Sequence, residues 1–126
     1  MQIAKCKMQN EKTNISERLL GFAADIVRLA SQLNKTAVGR HIGLQSTRSA
    51  TSAGANYEEA CGAQSRADFT HKLQLVLKEL KESHYWLRLI KKSDLLSSSD
   101  LDALIQEANE LTKIVAKSVV TAKRNT

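Results

Sequence analysis

RSATSAGANYEEA, the segment Arg48–Ala60, lies in the middle of the chain and consists almost entirely of small and polar residues. It has no proline, and apolar residues recur at helical spacing on both sides of it, so it favours a helix as well. Helices that pack in a core usually bury large aliphatic side chains. The segment therefore has two explanations: its small residues let another helix approach closely, or it carries a polar site inside a bundle.

The residues before this segment predict a first helix. From Ile15 to Leu33 the apolar residues recur at alternating spacings of four and three, which is the seam of a helix in a bundle. Asn14 and Glu17 have the spacing of a capping box, in which each side chain bonds the backbone of the other residue. We therefore expect the first helix at about residues 15–34.

The second helix contains the small-residue segment. Thr36 is suited to cap it, and we expect it at about residues 37–64. Its apolar pattern begins with Val38 and Ile42 and then becomes sparse. Because glycine and serine weaken the backbone hydrogen-bond ladder, we expect a kink near Gly54.

The residues after the segment predict two more helices. Ser65 and Asp68 repeat the capping-box spacing, so a third helix is expected at about residues 66–92. A run of serines followed by Asp100 provides the start of a fourth helix, expected at about residues 99–123. Apolar residues keep to one face of each of these helices.

The composition agrees with a helical fold. The 126 residues suffice for one core but not for two, and the absence of proline suits long helices with short connections. We therefore predict one all-α domain over residues 1–126, an antiparallel up-and-down four-helix bundle. Residues 1–12, which carry three lysines and show no clean period, are predicted to form a flexible arm.

Three features bear on the compartment. Cys6 and Cys61 form no paired motif, so we expect two reduced thiols. Lysines interrupt the N-terminal residues, which excludes the apolar core of a signal peptide. The sequence also lacks the run of about 20 apolar residues that spans a bilayer. We therefore expect a cytoplasmic protein with no membrane partner.

A polar strip is predicted along the second and third helices. If these helices are antiparallel neighbours, Arg48 lies level with Glu82 and can form a bidentate pair with it. The predicted strip consists of Arg48, Ser52, Asn56, Glu59 and Glu82. Two interpretations stay open: a satisfied polar layer that fixes the register of the helices, or a surface that binds a ligand or partner.

Motifs of catalysis and metal binding are absent from the sequence. It has no Glu-x-x-His pair of the kind that di-iron bundles use, and its three histidines are scattered. It has neither a glycine-rich phosphate loop nor a Gly-x-Ser-x-Gly elbow. We expect no catalytic residue, no metal, no cofactor and no enzymatic activity.

Basic residues concentrate instead. The formal net charge is +6 at pH 7, and no acidic residue occurs between Ile26 and Tyr57. Such surfaces suit contacts with phosphates, although a solvated basic rim explains them as well. No helix-turn-helix or aromatic stacking motif supports recognition of bases. The candidate nucleic-acid contacts, grouped towards the two ends of the predicted bundle, are Lys35, Arg40, Arg88, Lys91, Lys92, Lys113, Lys117, Lys123 and Arg124.

Two adjacent aromatic residues, Tyr85 and Trp86, fall on the flanks of the third helix. They either cover a neighbouring helix or anchor a subunit contact, where Trp and Tyr are enriched. We take them as candidate subunit contacts and expect a homo-oligomer.

The chain resembles a known family in three of its segments: Arg48–Ala60, then SRADF at Ser65–Phe69, then KELKESHYWLRL at Lys78–Leu89. This is the bacterial "four helix bundle protein" family, which includes proteins encoded in intervening sequences of 23S ribosomal RNA genes. The resemblance covers about residues 15–122. Tyr57 and Ala60 stand where many members have Ile and Gly. The characteristic polar residues of the family fall on Arg48, Ser52, Asn56, Glu59 and Glu82.

The resemblance implies a four-helix bundle that assembles into a homopentamer, with no established enzymatic activity. It also implies a similarity to the accessory proteins of diversity-generating retroelements, basic pentamers that bind a reverse transcriptase and nucleic acid. Our leading hypothesis is a non-enzymatic oligomer that binds RNA or DNA, with or without a protein partner. The alternatives are a purely structural or protein-interaction module, and an enzyme that uses Glu59 or Glu82 as a base.

Overall fold

The computed structural model describes Cys6 and residues 14–124, and it places four α-helices within residues 14–124. The predicted all-α four-helix bundle is confirmed, and none of the described residues lies in a strand. Apart from Cys6, the predicted arm of residues 1–12 lies outside the described residues. The helices are α1 (Ile15–Gln32), α2 (Ala37–Cys61), α3 (Arg66–Lys92) and α4 (Ser99–Arg124).

Successive helices make most of the contacts between elements, whereas α1 and α4 touch each other less. Each pair of neighbours therefore buries a shared face, as in a bundle whose helices are joined by short turns. The kink near Gly54 and the antiparallel up-and-down order stay predictions. Among the residues that the structure describes, no helix combines the length and hydropathy that crossing a bilayer requires.

Each helix begins at a side chain that accepts a hydrogen bond from the backbone three residues later. Asn14 accepts from the Glu17 amide, and Thr36 and Ser65 do the same for α2 and α3. Ser98 Oγ accepts from the Leu101 amide at the start of α4. These bonds satisfy backbone donors that have no partner inside the helix.

The first two helices end earlier than the sequence indicated. α1 ends at Gln32, where the Leu33 amide turns back to the Ala30 carbonyl. α2 ends at Cys61, where the Gly62 amide bonds the carbonyls of Glu58 and Glu59. Such tightened last turns satisfy carbonyls locally, and apolar periodicity carries no signal for them.

In the core, α1, α3 and α4 contribute mainly large apolar residues, whereas α2 contributes mainly small ones. Leu19, Phe22 and Ile26 of α1 are buried to within 2% exposure, and α3 and α4 contribute leucines of similar burial. α2 contributes Ala50, Ala53 and Ala60, each fully buried. Small residues therefore let α2 approach its neighbours closely, which supports the first explanation of the Arg48–Ala60 segment.

Near the start of α2, glycine is required at Gly39, and a side chain at Gly43 would be tightly packed. A Cβ atom on Gly39 would lie 2.2 Å from the Leu33 carbonyl oxygen, and one on Gly43 would lie 3.3 Å from Ala30 Cβ. At Gly54 a Cβ atom would meet nothing closer than Leu19 Cβ at 3.9 Å. The close approach of α1 and α2 is therefore at their connected ends and not at Gly54.

Three serines lie inside the bundle with no exposed surface: Ser46, Ser49 and Ser83. Ser49 Oγ and Ser83 Oγ are 2.8 Å apart and join α2 to α3. Ser46 Oγ donates to the Ile42 carbonyl at 2.7 Å. All three hydroxyls are therefore satisfied, as buried polar groups require.

The cysteines are joined in a disulfide, Cys6 to Cys61, so the expectation of two reduced thiols is wrong for this structure. Their Cα atoms lie 5.7 Å apart, within the range that a disulfide spans. The bond links the N-terminal residues to the last residue of α2 across a sequence separation of 55. Because the two cysteines are so far apart in the sequence, they form no short motif from which the disulfide could be predicted.

Candidate functional site

Arg48 joins α2 to α3 through two carboxylates. Its Nη2 atom forms an ion pair with Glu82 Oε2, and its Nη1 atom lies 3.2 Å from Glu79 Oε2. The guanidinium thus bridges two residues and does not make the predicted bidentate pair with Glu82 alone. Glu79, one turn before Glu82 on α3, was not expected in the strip, although its spacing of three places it on the same face.

Glu82 is an ionised acceptor at neutral pH. The hydrogen bond that the Trp86 indole donates at 2.9 Å holds the pKa of Glu82 below its usual range. Burial opposes this shift, and the bond from Arg48 lowers the pKa further. In return, the bonds to Glu82 and Glu79 raise the pKa of Arg48. A general base works best with a pKa near the operating pH, so this arrangement suits a structural ion pair better than proton abstraction.

The rest of the predicted strip does not join this cluster. Asn56 Nδ2 donates to the Ser52 carbonyl at 2.9 Å and lies 3.1 Å from Ser52 Oγ, so both side chains are engaged on their own helix. Glu59 pairs at 2.8 Å with Lys72 at the start of α3. The five polar residues thus form three separate groups, and they do not converge on one cavity.

An aromatic cluster adjoins the ion pair. Trp86 is half-buried, and its ring centroid lies 5.3 Å from that of Tyr85 and 6.5 Å from that of His41, both in edge geometry. Together with the hydrogen bond to Glu82, these contacts hold the indole in place. Tyr85 is 56% exposed, so its ring stands at the surface. Their predicted role as subunit contacts stays a prediction.

A groove of about 480 Å³ lies between α3 and α4 at the end of α3. It is lined by His84, Arg88, Lys91, Lys92 and Ile105. Lys91 pairs with Asp102 at 2.7 Å. Burial lowers the pKa of His84, and the charge of Arg88 lowers it further, so this imidazole is neutral at pH 7. The positive charge of the groove therefore comes from Arg88 and the two lysines.

Two of the residues that line this groove belong to a row of four exposed residues along α3, which we call the α3 stripe: Lys81, Tyr85, Arg88 and Lys92. Residues spaced by four, three and four share one face of a helix. No carboxylate of residues 14–124 forms an ion pair with Lys81, Arg88 or Lys92. The stripe is thus a basic surface interrupted by one aromatic ring.

The other candidate contacts fall on two further surfaces. The contact of His41 with Trp86 brings the start of α2 beside α3, which puts Arg40 and Lys35 at the same end of the bundle as the groove. Arg40 donates to the Asn34 carbonyl at 3.3 Å. A second basic surface follows the later turns of α4, where the exposed residues are Lys113, Lys117, Lys123 and Arg124.

Internal ion pairs use more acids than bases. Among residues 14–124 they engage seven carboxylates but five cationic side chains, because Arg18 and Arg48 each bridge two carboxylates. The chain has 19 Lys and Arg against 13 Asp and Glu. The charges outside these pairs are therefore more strongly positive than the formal net charge of +6 indicates.

Two comparisons place the chain among known proteins. The match to one solved structure covers 83% of this chain and 97% of the chain in that structure, with 35% sequence identity and a TM-score of 0.76. It is a protein with unknown function from the S23 ribosomal protein family of Bacteroides thetaiotaomicron. No curated protein matches the chain. Residues 11–117 match the family described as 23S rRNA-intervening sequence protein. The chain therefore belongs to the 23S rRNA-intervening sequence protein family.

Proposed function

We propose that this protein is a non-enzymatic helical bundle that binds RNA or DNA through the basic surface formed by the α3 stripe and the adjoining groove. The observation that carries the proposal is the row of cations on α3 with no carboxylate partner among the described residues. Arg and Lys side chains in such surfaces bind phosphate oxygens and release counterions from the nucleic acid. The net charge of +6 also favours association with a polyanion.

A salt titration tests this proposal. We expect a fluorescein-labelled RNA hairpin to bind at low salt and its affinity to fall steeply as salt rises. Arg88→Glu should weaken binding and reduce the slope of log K against log salt by about one, because a phosphate contact is lost. The measurement is fluorescence anisotropy over a range of salt concentrations.

Arg28→Glu is the matched control, since it makes the same charge change on α1. Arg28 pairs there with Asp25 and lines a cleft that also contains Asp100 and Glu107. Its reversal should leave the affinity close to that of the unchanged protein. Absence of binding at low salt, or equal effects of the two reversals, would show that the α3 surface is not a nucleic-acid interface.

We also propose that the chain self-associates, as the homopentamer implied by its resemblance. Large apolar side chains stand at the surface of α1 and α2, with Leu20 64% and Leu44 66% exposed and Val27 half exposed. Leu20 lines a groove of about 310 Å³ together with Ala23, Gly54 and other residues that include two glutamates. Apolar surfaces of this kind favour burial against a second copy. Light scattering should then give five times the 13.9 kDa mass of one chain, and a monomer mass would refute the assembly.

A further inference from the structure

We infer that the nucleic acid bound by the α3 stripe is single-stranded and that Tyr85 stacks on one of its bases. This inference rests on the proposed function and deepens it, because it names the class of nucleic acid and the residue that distinguishes it. Neither phosphate contacts nor net charge can separate a single strand from a duplex. An accessible aromatic ring can, since the faces of paired bases are covered by their neighbours in the stack.

Tyr85 has the exposure that stacking requires. Phe22 is 2% exposed and Tyr57 is 6% exposed, so both belong to the core. Phe69 and Trp86 are partly buried against it. Among the described residues, Tyr85 is therefore the one Phe, Tyr or Trp side chain whose ring is mostly in solvent.

The Tyr85 ring is also held in place. It contacts Trp86 edge-on, and Trp86 is fixed by its hydrogen bond to Glu82 and by the ring of His41. Glu82 in turn is held by Arg48. A ring that is ordered before binding loses little conformational freedom when a base stacks on it. This gives the Arg48–Glu82–Trp86 chain of contacts a role in positioning Tyr85.

The charges that flank the ring follow the path a single strand would take. Lys81 lies one turn before Tyr85, and Arg88 and Lys92 lie one and two turns after it. At about 1.5 Å of rise per residue, the stripe is roughly 16 Å long. A positively charged track with an interposed aromatic ring is the arrangement by which proteins bind single strands without reading their sequence.

The same charges disfavour Tyr85 as a subunit contact. Packing the stripe against a second copy would take Lys81 and Lys92 out of water, and lysine is depleted in the cores of subunit interfaces. The exposed leucines of α1 and α2 carry no such penalty. The stripe therefore suits a polyanion better than another copy of the chain.

The test compares two variants on two probes. Tyr85→Ala removes the ring, whereas the matched variant Tyr85→Phe keeps it and removes only the hydroxyl. The probes are a fluorescein-labelled oligouridine twelve-mer and the same strand annealed to its complement. Tyr85→Ala should weaken binding of the single strand roughly five-fold or more, because stacking on one base contributes that much. Tyr85→Phe should bind like the unchanged protein, and Tyr85→Ala should leave the duplex affinity unaltered.

The outcomes separate this inference from the proposed function. If Arg88→Glu weakens binding and Tyr85→Ala does not, the inference is wrong while the proposed function stands. If Tyr85→Ala weakens both probes equally, the selectivity for single strands is refuted. If Tyr85→Ala changes the mass of the protein assembly in solution, Tyr85 is a subunit contact. If neither probe binds at low salt, the proposed function fails and the inference fails with it.

Discussion

At the scale of single residues, the acidic side chains of α3 are anchors for cations and hydrogen-bond donors. Glu82 accepts from both Arg48 and Trp86, and its side chain is 30% exposed. Glu79 is 13% exposed and completes the bridge. The cluster ties α2 to α3 at the level of the aromatic residues, so its protonation state affects both stability and the position of Trp86.

Acid should weaken this cluster in a defined pH range. Because the pKa of Glu82 is lowered in the folded protein, its stabilising effect is fully present above its unfolded pKa of 4.5 and is lost as the pH falls through the lower folded value. Glu82→Gln should reduce the fall of the free energy of unfolding at acidic pH. It should also lower the free energy of unfolding at neutral pH by about 1 kcal/mol. Urea denaturation from about pH 3 to pH 7 measures both effects.

Glu58→Gln serves as the control, since Glu58 is an exposed acceptor of a hydrogen bond from Ser16. In Glu58→Gln the free energy of unfolding should decrease at acidic pH as it does in the unchanged protein. If Glu82→Gln showed the same decrease as the unchanged protein, the cluster would not couple folding to protonation.

At the scale of helices, the beginnings were predictable and the rotation of α2 was not. Asn14, Thr36 and Ser65 are caps whose partners lie three residues away, so the sequence contains the whole signal. Ser49, which is not among the residues of the predicted strip, is fully buried and lies within hydrogen-bond distance of Ser83 on α3. A helix made of small residues has a weak apolar face, and small errors in its assigned rotation move a serine from the surface to the core.

The glycines of α2 provide a matched pair of substitutions. Gly39→Ala should lower the free energy of unfolding by more than about 1 kcal/mol, because its Cβ atom would lie 2.2 Å from the Leu33 carbonyl oxygen. Gly54→Ala should raise it by about 0.5–1 kcal/mol, because alanine favours helix and its Cβ atom meets only Leu19 at ordinary distance. Chemical denaturation measures both. A loss of stability in Gly54→Ala would indicate that the helix needs glycine there, as a kink would require.

At the scale of the whole molecule, the bundle was predictable from the helix caps and the apolar seams of the sequence, but its disulfide was not. The disulfide joins Cys6 to Cys61, and the sequence around each cysteine contains no motif that predicts the pairing. The cytoplasmic location stays a prediction, and in a reducing cytosol such bonds are rare. The reduced chain is therefore the form that this location would contain.

Breaking the disulfide should destabilise the fold. Closing a loop of 55 residues restricts the unfolded chain, and the entropic model gives about 4 kcal/mol for that length. Cys61→Ser should lose stability up to this amount, measured by denaturation without reductant. Cys6→Ser and the reduced protein should show the same loss. Equal stability of oxidised and reduced protein would show that the bond is not needed for the fold.

The buried serines give the contact between α2 and α3 an unusual property. Ser49 Oγ and Ser83 Oγ bond each other, but Ser49 also has the Ser46 carbonyl within 3.1 Å and Ser83 has the Glu79 carbonyl within 3.0 Å. If the helices separate or slide, each hydroxyl keeps an acceptor on its own helix, so no polar group is left stranded. The serine pair thus adds little resistance to sliding of α3 against α2, and the polar contact that opposes such sliding is the bridge from Arg48 to Glu79 and Glu82.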